Sequence, residues 1–213
     1  MKLLNLEFTH IAHDTFKIQR SKVIYTDPFK VKSQDEADIV LLSHEHFDHL
    51  SMADLNKVIS QETTVVASPL CKDDLQSLRV KATLFLDPGK MLTVGDIRIE
   101  AVPAYNTNKF REPGKAFHPK EEKRLGFVIT MDGTRVYFAG DTDLIPEMKS
   151  IQCDVALLPV SGTYVMTVEE AVQAAAAINP KIAVPMHYGA IVGSNADATK
   201  FQSLVKNCRV EVI

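Results

Sequence analysis

The apolar residues of this chain fall in short runs rich in Val, Ile and Phe, broken at regular intervals by Gly and Pro. That pattern predicts strands more than long helices. Leu3–Phe8, Thr15–Ile18 and Lys22–Tyr25 read as the opening strands of a meander that stops at Asp27-Pro28. Ile39–Leu42 is apolar at every position, as a strand buried on both faces must be, and it runs straight into a histidine cluster. Ser51-x-x-Asp54 has the form of a capping box, so a helix is expected from there to about Ile59. Thr63–Ala67 is predicted as a strand and Leu70–Leu78 as a short helix. Two hairpins follow: Leu92–Val94 with Ile97–Glu100 around Gly95-Asp96, and Leu125–Met131 with Arg135–Phe138 around Asp132-Gly133. The second turn pairs residues that tolerate positive φ. Between the hairpins, Tyr105 to Arg124 is polar and longer than an ordinary connection, the mark of a binding loop or lid. Cys153–Pro159 is another buried strand, and Thr167-x-x-Glu170 opens an Ala-rich helix, Val168–Ile178, that Asn179-Pro180 stops. Ile182–Pro185 is a strand, Asn195–Val205 a last helix and Arg209–Ile213 a last strand. Strands followed by helices thus occur twice, with no linker or sequence repeat. The economical expectation is one α/β (α+β) domain over residues 1–213, in four layers, with helices outside two packed sheets.

The chain has 213 residues, 46% hydrophobic and 24% charged, so it can bury a core without a disulfide or a structural metal. A metal site here is therefore expected to be functional. Net charge is −3 and the pI about 6.2, which argues against a general nucleic-acid coat. Cys71, Cys153 and Cys208 are odd in number, far apart and in no CxxC pair; they read as reduced thiols of a cytoplasmic protein. Leu3-Leu4 is too short for a signal-peptide core, and no apolar run approaches the roughly 20 residues of a membrane span. No membrane partner is expected, and a homo-oligomer leaves no clear mark.

His44 and His46 stand two apart just after an apolar strand, where alternate residues project to one side, so both imidazoles can reach one cation. Asp48 and His49 follow at the turn into the helix and can face a second cation. Imidazole nitrogen and carboxylate oxygen suit Zn²⁺, Mn²⁺ and Fe ions. Ser43 reads as a strand-end hydroxyl and His10 as a strand residue.

His-x-His-x-Asp-His after a buried strand resembles the signature of the metallo-β-lactamase-fold hydrolases, and the resemblance covers nearly the whole chain. Ser21–Pro28 is similar to the strand that ends in an Asp at the family's site, here Asp27. Tyr137–Asp143 is similar to the strand before the bridging aspartate, here Asp141. Pro185–Gly189 is similar to the strand carrying the last histidine ligand, here His187. The resemblance implies an αββα sandwich with a dinuclear site along one edge of the sheets. One metal would take His44, His46 and a third ligand; the other would take Asp48, His49 and His187; Asp141 would bridge them. A metal-bound hydroxide would attack phosphorus or a carbonyl carbon in a phosphoester, ester or lactone, with Asp48 as the catalytic carboxylate that orients it. Two divalent ions are implied, Zn first, with Mn or Fe as alternatives. Within the family, the chain is most similar to the branch of ascorbate-6-phosphate lactonase and N-acyl-phosphatidylethanolamine phospholipase D. His13 stands where that branch has a Gly-His-Ala/Ser segment, although the flanking residues differ.

The family's usual third histidine falls at Asn106, a weak zinc ligand. Either His118 swings in from the long loop or the first site lacks a ligand. His13 is a candidate support for the ligands or a packed polar residue. Asp143 and Thr142 are candidates to hydrogen-bond a ligand histidine. Tyr164, in Ser161-Gly162-Thr163-Tyr164, either donates to a substrate oxygen or simply packs. Lys109, Arg111, Lys115, Lys120, Lys123 and Arg124 outnumber the acids of the long loop, which favours a small anionic substrate unless these charges are merely solvated. Two competing readings are an iron-dependent redox enzyme of the same fold and a metal-binding module without turnover.

Overall fold

Apolar runs with period two that are apolar on both faces need a packed layer on each side. The computed structural model describes residues 1–32 and 35–213 and meets this demand with two seven-stranded sheets. In the first sheet the strands lie in chain order: β1 (Lys2–Leu3), β2 (Leu6–Ala12), β3 (Thr15–Gln19), β4 (Val23–Thr26), β5 (Ile39–Leu42), β6 (Thr64–Ala67) and β7 (Ala82–Phe85). Neighbours are antiparallel from β1 to β4 and parallel from β4 to β7. The second half repeats the plan with β8 (Met91–Val94) and β9 (Ile97–Pro103). The long loop inserts its own small hairpin, β10 (Phe110–Glu112) and β11 (Lys115–Ala116), before β12 (Leu125–Met131) and β13 (Thr134–Phe138). β14 (Val155–Pro159), β15 (Ile182–Met186) and β16 (Arg209–Val210) then join β13 in parallel, while β8, β9, β12 and β13 are antiparallel.

Alternation along β5 shows how the layers form. Ile39 and Leu41 enter the core between the sheets with Phe8, Phe16, Phe127 and Phe138. Val40 and Leu42 point the other way, into a second core with Leu55 and Val58 of α1 (Met52–Val58). α2 (Val168–Ile178) packs behind β14 through Ala171, Ala174 and Ala175, and α3 (Asn195–Leu204) lies beside it. The expected four-layer arrangement is therefore present. Among the described residues no helix is long and apolar enough to cross a membrane.

Several local expectations need correction. Leu3–Phe8 is not one strand: Leu4 adopts φ +54° and turns the chain, so Leu3 faces Leu6 across a hairpin. Leu70–Leu78 is not an α-helix but a 3₁₀ turn, Pro69–Cys71, followed by hydrogen-bonded turns. Of that stretch only Cys71 and Leu75 are buried in the outer core, with Leu78 partly buried against it, which is too little apolar face to hold a helix. β7 escaped the sequence reading. At α1, the Ser51 hydroxyl accepts from the Asp54 N–H, but the Asp54 carboxylate turns to the Lys30 and Val31 N–H groups, so only half of the capping box forms. The box at Thr167 and Glu170 is complete.

Candidate metal centre

β2, β4 and β5 run in one direction in the first sheet, and β9, β13, β14 and β15 share one direction in the second. Just past their C-terminal ends come His13-Asp14, Asp27, Ser43–His49, Asn106, Asp141, Ser161 and His187. The carboxyl ends of such strands are where α/β sheets place their chemistry. Three of these residues leave their strands through left-handed backbone, His13 at φ +54°, Asp27 at +36° and His187 at +59°. A side chain is costly there, and such strain persists only where the surroundings hold it.

Asp141 lies at the middle of the cluster and is 3% exposed. Its Oδ2 is 3.3 Å from His118 Nε2 and 3.9 Å from His44 Nε2. Its Oδ1 is 3.3 Å from His187 Nε2 and 3.4 Å from His49 Nε2. The two oxygens thus face two different groups of imidazoles. On the first side, ligand atoms of His44, His46 and His118 all lie within 4.8 Å of one another. His44 Nε2 and His46 Nδ1 are 3.1 Å apart, close to the roughly 3.3 Å between two nitrogens on one tetrahedral zinc ion. On the second side, His13, His49 and His187 form another such group. Asp48 Oδ2 is 3.2 Å from His13 Nε2 and 3.9 Å from His49 Nε2.

The far nitrogens of the imidazoles are fixed by neighbours. The Ser43 hydroxyl donates to Asp27 Oδ2 at 2.5 Å, so its oxygen is left to accept from His44 Nδ1 at 2.9 Å. Asp27 Oδ2 also accepts from His49 Nδ1 at 2.7 Å. Ser161 Oγ donates to the Thr163 carbonyl and accepts from His187 Nδ1 at 2.9 Å. Each partner leaves Nε2 as the lone-pair nitrogen aimed inward. His49 Nε2, His187 Nε2 and Asp141 Oδ1 are buried and satisfy no hydrogen bond among the described residues. Buried polar atoms are almost always paired, so this convergence fits a cation.

The electrostatics agree. Burial, then the charge of His49, pushes His44 well below its ordinary value, and burial brings His118 down to about 3. Both are neutral and offer lone pairs. Burial also opposes charge on His49 and His187, yet the Asp141 carboxylate outweighs it and holds both raised. Those protons stand where a divalent cation would.

The structure therefore brings the expected residues together, and it places His118 beside His44 and His46 on the first side. Asn106 is its clamp: its Oδ1 accepts from the His118 N–H at 2.9 Å, and its own N–H donates to the His118 carbonyl at 2.8 Å. His13 stands among the imidazoles of the second side. Asp143 is a correction. It bonds no histidine among the described residues but accepts from the Thr107 and Asn108 N–H groups at 2.7 and 2.9 Å, tying down the start of the long loop. The Thr142 hydroxyl serves the Tyr105 and Asp143 carbonyls. Tyr164 is 41% exposed on the rim of a cleft of about 540 Å³ that His46, Asp48, His118 and Asp141 also line. His10 stacks on Phe16 at 4.6 Å, outside the cluster, as a strand residue should.

Sequence reasoning missed two residues. Asp14 is wholly buried, with both oxygens unpaired among the described residues, and burial raises it to about 8. Arg124 is 3% exposed, reaches His46 at 3.2 Å and Glu45 at 3.0 Å, and after burial is the main reason His46 is lowered. Asp14 had a signal, since it follows His13 after a strand; Arg124 was legible only as one cation of the long loop, not as a neighbour of His46.

Asp27 gives a direct check on the scaffold. Asp27→Asn keeps the shape but cannot accept equally well from both Ser43 and His49. Metal affinity on the second side is expected to fall by roughly 10–100-fold, read by titration against a competing chelator. An unchanged dissociation constant would refute the role.

Comparison with known proteins identifies the family. The Beta-lactamase superfamily domain matches residues 7–187. A UPF0173 metal-dependent hydrolase of Methanoculleus marisnigri is 35% identical over 208 residues, covering 94% of this chain and 89% of the relative. The crystal structure of a proposed metal-dependent hydrolase from Parabacteroides distasonis superposes with a TM-score of 0.85 at 34% identity, covering 97% of this chain and 92% of that one. A proposed Zn-dependent hydrolase of Thermotoga maritima gives 0.64 at 25% identity, with 97% of each chain covered. With that fold and extent of matched sequence, the chain belongs to the metallo-β-lactamase superfamily and, within it, to the UPF0173 metal-dependent hydrolase family.

Proposed function

We propose that this chain hydrolyses a phosphoester or a lactone/ester bond in a small molecule at a dinuclear metal site. The observation that carries the reading is the Asp141 carboxylate, whose two oxygens face two separate imidazole groups. His44, His46 and His118 would hold one ion, and Asp48, His49 and His187 the other, with Asp141 between them and His13 beside the second. Two divalent ions held there, zinc first and manganese or iron as alternatives, would supply an acidified water and polarisation of a phosphoryl or carbonyl oxygen. The chain's own residues do the rest. Asp27, Ser43 and Ser161 hold three imidazoles in one tautomer. Asp48 lines the cleft and is 15% exposed. Burial opposes its charge, but His13 and His49 keep it below the usual carboxylate range, so Oδ2 is an acceptor at neutral pH. It can take a proton from the attacking water and release it to the cleft. The sequence likeness to ascorbate-6-phosphate lactonase and N-acyl-phosphatidylethanolamine phospholipase D supports phosphoester and lactone chemistry as the first to try.

The test is a panel of generic phosphodiesters, phosphomonoesters and lactones, assayed after reconstitution with Zn²⁺ or Mn²⁺. Chelator-sensitive turnover of at least one class is expected, with two ions bound per chain. A preparation that holds two ions and turns over nothing would sink the proposal; iron with a visible absorption band would favour redox chemistry instead.

A further inference from the structure

The long loop looked basic in sequence, but most of its charge is spent locally. Lys109 meets Glu170 at 2.7 Å and Asp143 at 3.3 Å, Lys115 meets Glu112 at 3.0 Å, and Lys120 meets Glu147 at 2.8 Å. Lys123 meets Asp87 at 3.3 Å, and Arg124 meets Glu122 at 2.8 Å and Glu45 at 3.0 Å. Arg111 is different. Among the described residues, no carboxylate lies within 4.0 Å of it. It is also the cation that lines the cleft holding His46, Asp48, His118 and Asp141.

Its guanidinium is held in place without being neutralised. One nitrogen, Nη2, donates to the Phe117 carbonyl at 3.1 Å, and the group stands over the Phe117 ring at 5.9 Å. That leaves further N–H donors of a rigid fork, whose geometry suits a carboxylate or phosphate. The remaining cleft walls are apolar. Phe117 meets Tyr164 edge-on at 4.7 Å, Ile191 is 42% exposed, and Phe47, inside the histidine motif itself, is 69% exposed. A large aromatic left so open beside a charged anchor points to a ligand that covers both.

We propose that Arg111 is the specificity-determining residue of this site. The substrate is then an organic molecule with an anionic carboxylate or phosphate at one end, seated on Arg111. Its apolar middle rests on Phe47, Phe117, Tyr164 and Ile191, and its scissile group lies at the metals. This rests on the hydrolase reading for the scissile end alone.

The test measures binding, so it stands apart from turnover. Metal-loaded protein is titrated calorimetrically with a series of ω-carboxyalkylphosphonates and with methyl-ended alkylphosphonates of equal length. The phosphonate serves the metals and the carboxylate serves Arg111. The best carboxylated member should bind about tenfold more tightly than its methyl-ended twin. Arg111→Gln keeps a donor for the Phe117 carbonyl but loses the charge and should erase the preference; Arg111→Lys should keep part of it. Neither variant should change the affinity of the methyl-ended probe. A carboxylate preference that survives in Arg111→Gln overturns the proposal, as does its absence across the series in the unaltered protein or failure of every phosphonate to bind. Failure of the hydrolase reading looks different: no turnover on the ester panel, with the Arg111-dependent preference intact.

Discussion

Asp141→Asn should reduce turnover by on the order of a thousandfold and leave the protein unable to hold two ions. The substitution preserves the volume of a side chain that is 3% exposed, so packing alone predicts almost no change. Chemistry predicts the opposite. An amide offers one acceptor where the carboxylate offers two, so one imidazole group must face a donor. The metal-free protein gives a second readout. Burial opposes protonation of His49 and His187, and the Asp141 charge is the largest influence that holds both raised above the ordinary 6.5, with Asp27 helping at His49 and Asp14 at His187. A raised histidine stabilises the fold fully below its unfolded value and loses that contribution as pH rises through its folded value. Asp141→Asn should therefore cost the metal-free protein most on the acid side of neutrality. Metal analysis, turnover and the pH dependence of the unfolding midpoint check the three parts. Two tightly bound ions in Asp141→Asn would remove the bridging role.

The parts of this site that sequence made legible are those whose geometry is local. His44, His46 and His49 sit within six positions, in the short coil and turn that follow β5, so one brief stretch of chain brings them together. Asp141 and His187 were legible through the short segments around them. What stayed hidden is decided by contacts between segments far apart in the chain. Arg124 touches His46 across 78 positions of chain, and Ser161 reaches His187 across 26. The basic loop misled for the same reason: Glu147, Asp87, Glu170 and Glu45 neutralise it from distant elements. The fold followed the same rule. β5 was legible because four apolar positions in a row can satisfy two cores only as a buried strand. β7, only partly buried, and the turns after Pro69 carry no such periodic demand.

Gly140→Ala should be the most damaging single-methyl change in the chain, costing about 3 kcal/mol or more of stability. Gly140 has φ +63°, and an added Cβ would stand 2.5 Å from the Leu125 carbonyl oxygen, a backbone atom that cannot swing aside. Relief requires the end of β13 or the start of β12 to move. Either shift reaches the metal centre. Gly140 directly precedes Asp141, and the Leu125 N–H donates to the Ser43 carbonyl at 3.1 Å, a bond that joins the two sheets at the site edge. Ser43 in turn holds Asp27 through its N–H and hydroxyl, and Asp27 holds His49. One methyl group thus pushes on both of the imidazole groups that the proposed dinuclear site would use. Gly95→Ala separates this clash from the ordinary cost of a left-handed alanine, because Gly95 has φ +61° with nothing within 4 Å of its would-be Cβ. That control should lose only about 1–2 kcal/mol and keep its metals. Denaturant midpoints and bound metal in the two variants decide the matter: equal midpoints, with two ions in each, would mean that the contact at Leu125 does not constrain the site.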